Sequence, residues 1–277
     1  MDSAATFYGL ASAFAWGAGD FYGGYASKAV HVLRVVAVSQ AFGFVLLVGL
    51  AVAVGEPLPG VADLGWAAAA GLMSGVGLIF YYAALSRGEM GAAAPVTGVL
   101  TAVVPALAGS LLEGVPSTLQ AAGFFLAFVS IGLTTGSSGM RLSVNSQLGF
   151  SAVAGLGFGL FLVLLGQVSE GLYFYPLSVS RMITAGLAAF LAKTLLNTKS
   201  VGNAFTKIAA AGVFDTGGSF FYLLSRQAGR LDVAGVLSSL YPVSTVMLAK
   251  AILHEKLGKQ RTAAIALAAA ATTLINT

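Results

Sequence analysis

No cysteine occurs in this chain, which excludes disulfides, thiolate catalysis and cysteine metal sites and leaves the compartment open. Histidine is nearly as rare. His31 and His254 stand at connector edges, far apart in sequence, and read as interfacial residues rather than a metal pair. Charge is scarce too: Asp, Glu, Lys and Arg make up 9% of 277 residues, against roughly 25% in a soluble domain. Too few charges exist to cover a water-facing surface, while hydrophobic residues reach 57% and mean hydropathy is +0.89. Lipid must cover the rest. Walker, Ser–His–Asp, paired-carboxylate, His-rich and nucleotide-binding arrangements are also missing, so ATP is not the expected energy source, no cofactor or metal is expected, and the chain is not read as an enzyme.

What is present is a series of apolar blocks of roughly 20 residues, the length that spans a bilayer core of about 30 Å. Ten can be counted: 4–27, 32–54, 63–86, 91–112, 117–135, 147–168, 175–196, 204–226, 232–253 and 259–276. The alternation of a β-barrel is absent, which leaves helices as the spanning element. The expected fold is an all-α polytopic membrane protein of ten transmembrane helices. The connectors are short and polar, such as Gly55–Gly60 and Gly136–Gly139, and none is long enough for a separate soluble domain. The first block lacks the basic flank and cleavage pattern of a signal peptide and is expected to stay attached. A net charge of +4 reflects basic connectors, not a nucleic-acid partner.

The second half repeats the first. Gly98-Val99-Leu100 with Pro105 returns as Gly235-Val236-Leu237 with Pro242, 137 residues later. Leu85-Ser86-Arg87 returns as Leu224-Ser225-Arg226 at an offset of 139, and Val38-Ser39-Gln40 as Val179-Ser180-Arg181 at 141. Gly9 and Gly17 match Gly149 and Gly157 at 140. Such matches in register along a whole half indicate a duplication, with repeat 1 over residues 1–136 and repeat 2 over 147–277 of a single transmembrane domain. Five helices is an odd number, so the second repeat enters the membrane from the opposite side. Inverted repeats of this kind are the architecture of many secondary transporters. Charge agrees with inversion. Connectors after odd helices hold ten Lys or Arg, among them Lys28, Arg87, Arg141, Lys199 and Lys256, whereas those after even helices hold only Arg226 and Arg230. The positive-inside rule then places the odd connectors in the cytoplasm and both termini outside.

Several short motifs in order resemble the drug/metabolite transporter superfamily, and within it the ten-helix EamA-type members. They are Trp16-Gly17, the run Tyr82-Ala83-Ala84-Leu85, and Leu240-Tyr241-Pro242-Val243 followed by His254-Glu255-Lys256-Leu257 and Gln260. His254 stands where the family usually has glycine, and Glu113-Gly114 reverses the usual order in the first repeat. The resemblance implies a cell-membrane transporter, by family habit an exporter of amino acids or other metabolites with its termini in the cytoplasm. On orientation the charge bias and the family habit differ. The resemblance also implies peripheral helices 5 and 10, with helices 3, 4, 8 and 9 around a central cavity.

An ionisable side chain at bilayer depth is costly and is normally kept for a reason. Asp20, Asp215, Arg181 and Lys250 qualify, with Gln40 and Gln167 as neutral companions. Asp215 sits in Gly212-Val213-Phe214-Asp215-Thr216-Gly217-Gly218-Ser219, where glycines and hydroxyls are expected to loosen the helix as at a transporter binding site. Counted from the connector that they share, Arg181 and Asp215 differ in depth by roughly 6 Å. Long side chains bridge that gap, so a structural ion pair and a functional carboxylate both stay open. Asp20 lies between Gly19 and Gly23, a spacing that more often marks close helix packing than chemistry. Lys250, Glu255 and Glu113 read as helix-end residues.

Phe80, Tyr81 and Tyr82 correspond roughly to Phe220, Phe221 and Tyr222, so the two clusters are expected to face each other across the symmetry axis, lining a cavity for amphipathic or cationic solutes or forming an interfacial belt. Pro105 and Pro242 each remove a helical hydrogen bond and are matched kinks, a candidate hinge or gate. The candidate substrate or proton pathway is therefore Asp215, Asp20, Trp16, Gln40, Tyr82, Arg181, Ser219 and Tyr222. The expected partners are the lipid bilayer, a small-molecule substrate and protons, acting on a monomer. A channel, sensor or scaffold is the alternative.

Overall fold

The computed structural model describes residues 3–87, 90–133, 147–196, 202–245 and 258–275. Within them the apolar blocks are helical. The first repeat comprises α1 (Ser3–Ser27), α2 (Val32–Val54), α3 (Val61–Arg87), α4 (Met90–Leu112) and α5 (Thr118–Leu133). The second comprises α6 (Gln147–Leu165), α7 (Phe174–Leu195), α8 (Phe205–Gln227), α9 (Leu231–Ser238) and α10 (Lys259–Ile275). A 3-10 turn, Gly202–Ala204, leads into α8. Beyond α9 the chain turns at 239–240 and becomes helical again over 241–245. Among the described residues there is no strand. Lys250, His254 and Glu255 lie outside the described residues.

Polar residues set the helix ends. His31 caps α2 by accepting a hydrogen bond from the Leu33 N–H at Nδ1, 3.3 Å away, and Gly55 ends it at φ 67°, a conformation glycine adopts without penalty. Ser117 and Gln120 form a reciprocal capping box at the start of α5: the Gln120 N–H donates to Ser117 Oγ, and the Ser117 N–H to Gln120 Oε1. At the start of α7 the Glu56 carboxylate accepts from the N–H groups of Tyr173, Phe174 and Tyr175, at 2.6–2.8 Å. Its charge also complements the positive end of that helix dipole.

The two repeats are related by an inverted two-fold, and the packing shows it. Exchanging helices 1–5 with 6–10 turns the α1–α8 contact into α6–α3, α2–α8 into α7–α3, and α1–α9 into α6–α4; all six are present. The α2–α7, α4–α9 and α5–α10 contacts map onto themselves. In lipid, apolar helices gain little from mere association, so close backbone approach at small residues carries the packing. That approach is duplicated too. A Cβ at Gly71 would stand 2.8 Å from Ser180 Cα, and one at Gly212 would collide with Ser39. Gly98 receives the ring of Pro242, and Gly235 that of Pro105.

Large apolar side chains cover the outside of the bundle. Phe7, Phe14, Val45, Val52, Phe125 and Phe190 are each more than half exposed, a surface suited to lipid and not to water. The chain is thus an all-α, polytopic membrane protein of ten transmembrane helices in two inverted five-helix repeats. Four of its helices, α2, α3, α7 and the segment Gly202–Gln227, are long and apolar enough to span by that criterion alone. α1 is 25 residues long but rich in small residues, since about half of it is buried against its neighbours. α5 and α10 pack on each other, against α4 and α9 on the first-repeat side.

Candidate functional site

Each repeat contributes to one polar network. Arg181 on α7 is 1% exposed, and its Nη1 lies 2.6 Å from Asp215 Oδ2 on α8. The same Nη1 donates to Gln40 Oε1 at 2.7 Å, and Gln40 Nε2 donates to Asp215 Oδ2 at 2.7 Å. Arg181 Nη2 donates to the Asp215 carbonyl and to Ser219 Oγ. Trp16 on α1 adds Nε1–H to the same carbonyl at 3.2 Å. Burying a charge pair in lipid demands such extra hydrogen bonds, because Coulomb attraction alone does not repay desolvation. One donor is left over: among the described residues Arg181 Nε has no partner.

Close packing places these groups. Gly43 abuts Thr216 and the Arg181 side chain, and Gly212 abuts Ser39, so α2, α7 and α8 converge at Gln40, Arg181 and Asp215. α8 runs unbroken through Asp215, which corrects the expectation of a loosened segment. Two of its glycines are contact points: Gly212 meets α2 and Gly218 seats the Trp16 ring.

Asp215 is 15% exposed because it borders a partly open cavity. Asp20 and Trp16 of α1 share this cavity, together with Ser74 of α3 and Thr101 of α4. Phe158, Phe161 and Leu162 of α6 and Tyr241 beyond α9 close its apolar walls. The cavity therefore involves α1 and α6 as well as α3, α4, α8 and the ninth block, a correction to the four-helix lining expected from resemblance. Gly19 brings α1 against the backbone of Asp215, with a Cβ there 3.1 Å from its nitrogen. The Asp20 carboxylate consequently lies in the field of Asp215 and faces the Tyr81 hydroxyl.

Trp16 stacks on Tyr222 at 6.1 Å and meets Phe161 edge-on at 6.3 Å. Tyr222 is fully buried behind the wall and donates to the Leu162 carbonyl at 2.6 Å. Tyr82, 2% exposed, lies against Gly23 rather than on the cavity surface. The matched aromatic clusters do not confront each other. Tyr81 packs with Phe158 and Tyr241, whereas Phe220 stacks on Phe174 at 5.2 Å. The prolines differ as well: Pro105 lies within continuous α4, and Pro242 just after the turn at 239–240.

Sequence reading overlooked Ser74, Thr101, Phe158 and Tyr241. The repeat offset of 141 that pairs Gln40 with Arg181 also pairs Ser74 with Asp215, and would have found the first of them. The ion pair of repeat 2 thus stands where repeat 1 has two neutral polar residues. Phe158, by contrast, carries no signal in an apolar segment.

About 16 Å further along α8, at the face of the even connectors, a second network ties the repeats together. Arg226 Nη2 lies 2.9 Å from Glu113 Oε1, and Glu113 Oε2 accepts from the Leu231 N–H at 2.8 Å. Arg230 bridges Asp232, at 2.7 Å, to the carbonyls of Glu113 and Gly114. Hydrogen bonding to Asp232 raises the Arg230 pKa further and keeps it charged. Between this network and the cavity lie Leu162, Leu165, Tyr222 and Leu223, all fully buried.

A family model described as the EamA-like transporter family matches residues 3–136 and again 146–277. No curated protein matches the chain. A solved structure described only as a crystal structure of a protein superposes with a TM-score of 0.82 at 18% identity, covering 100% of this chain and 99% of that one. At that identity the likeness concerns the fold alone.

Proposed function

Since the chain belongs to the EamA-like transporter family, we propose that it is a secondary active transporter that exports a small organic metabolite, such as an amino acid or an amphipathic or cationic solute, across the plasma or inner membrane. It works as a monomer by alternating access, with residues 1–136 and 147–277 as the two moving units. The observation that carries this reading is a largely apolar cavity holding two carboxylates, lined by both repeats and separated from the even-connector face by buried apolar side chains and an inter-repeat ion pair. A carrier needs one closed side at a time. Pro242, beside a helix break that packs on Gly98, is the stronger hinge of the two prolines. Protons couple to flux through the cavity carboxylates, Asp20 and Asp215, while Arg181, Gln40 and Ser219 hold Asp215 in place.

Purified protein in liposomes tests this. Carrier flux saturates, shows counter-exchange and responds to a pH gradient. Flux that neither saturates nor exchanges makes the protein a channel, and chemical change of the solute makes it an enzyme.

A further inference from the structure

The cavity carries unequal charge. Asp215 and Arg181 neutralise each other at 2.6 Å, with Gln40 completing the pair. Asp20 borders the same cavity, and among the described residues no cation pairs with it. Its neighbours are a tyrosine hydroxyl and the second carboxylate. With both acids ionised, the described residues of the site leave one negative charge uncompensated. A second, independent feature points into the same space: Tyr241 lines the cavity and is 3% exposed, and among the described residues its hydroxyl makes no hydrogen bond of good geometry, with only the Thr101 hydroxyl close by. A buried hydroxyl without a partner costs free energy unless something that enters the cavity satisfies it.

We propose that this site binds a small amphipathic organic cation, an ammonium group with an apolar or aromatic body, and that Asp20 is its anchor. The ammonium rests on the Asp20 carboxylate and donates to the Tyr241 hydroxyl. The body lies among Trp16, Phe158 and Phe161, whose ring faces attract the cation and whose apolar surface covers its carbon skeleton. Arg181 serves the opposite end of the discrimination. It cancels Asp215, so the one charge left for the ligand is that of Asp20, and an anion entering the cavity meets an uncompensated carboxylate.

The assignment rests on the transporter reading only for its physiological use, and the test separates the two. Thermal unfolding of the detergent-solubilised protein is followed with 2-phenylethylamine, its neutral isostere 2-phenylethanol, and phenylacetate. The amine raises the melting temperature and the other two do not. Asp20→Asn weakens amine affinity about tenfold or more, and Tyr241→Phe, which removes only the hydroxyl, weakens it several-fold. Asp20→Glu retains the preference for the amine, a control should the asparagine variant fail to fold. Equal stabilisation by 2-phenylethanol, or amine affinity unchanged in both Asp20→Asn and Tyr241→Phe, overturns the proposal. Counterflow of labelled amine in liposomes is the separate arm. Amine that binds but does not exchange sinks transport and leaves the site, and saturable exchange of phenylacetate without amine binding does the reverse.

Discussion

Arg181 and Asp215 carry opposite charges 2.6 Å apart inside a lipid-embedded bundle, so removing either one strands the other. Asp215→Asn keeps the shape but leaves a guanidinium that is 1% exposed facing only neutral acceptors. Loss of one partner from a buried pair costs roughly 3–5 kcal/mol, so the melting temperature in detergent falls. Adding Arg181→Gln removes the stranded cation and restores much of that stability. If the pair is purely structural, the double variant is stable and keeps pH-driven flux; if Asp215 also carries the coupling proton, it is stable and loses that flux. A single Asp215→Asn variant as stable as the wild type would show that Gln40 and Ser219 suffice to hold the arginine.

At the scale of elements, glycine decides how near two helices come. Gly71 admits the backbone of Ser180, with a Cβ there 2.5 Å from its carbonyl oxygen and 2.8 Å from its Cα. Gly71→Leu must therefore push α3 from α7, and overpacking of this kind costs typically 1–3 kcal/mol. Gly49, on the lipid side of α2, has nothing within 4 Å of the same position. Gly49→Ala raises stability by about 0.5–1 kcal/mol through helix propensity. Thermal unfolding of the two variants side by side checks both signs; equal effects would mean that the close α3–α7 approach is not limiting.

Element existence and repeat order were legible because spans of apolar residues and an offset near 140 are one-dimensional signals. The pairing of Arg181 with Asp215 was legible from depth along two neighbouring helices. Tyr241, Thr101 and Phe158 were not, since whether a residue on an apolar helix faces lipid or cavity is settled by three-dimensional packing. The glycines around Asp215 read as a helix breaker, and two of them, Gly212 and Gly218, are instead seats for Ser39 and Trp16. Composition does not distinguish the two uses.

For the whole molecule the question is which face opens. The even-connector face is tied by Arg226 to Glu113 and by Arg230 to the adjoining carbonyls; on the charge count that face would lie outside the cell, on the family habit inside it. A cysteine introduced at Ser200, in an odd connector, labels from the cytoplasm only if the charge-based orientation holds; labelling from outside would invert it. The native chain has no cysteine, so a single Thr101→Cys in the cavity wall is a clean reporter of access. Arg226 and Glu113 are each about a quarter exposed, so their ion pair contributes at most about 1 kcal/mol to the closed arrangement. Removing it with Arg226→Gln shifts the balance between closed and open states by up to about fivefold. An impermeant thiol reagent supplied from the even-connector side then modifies the reporter several times faster than in the Arg226 parent, while transport persists with altered affinity on the two sides. Labelling that stays as slow as in the parent would place the barrier in the layer of Leu162, Leu165 and Leu223 alone, with the ion pairs as fixed struts of the bundle and not as its latch.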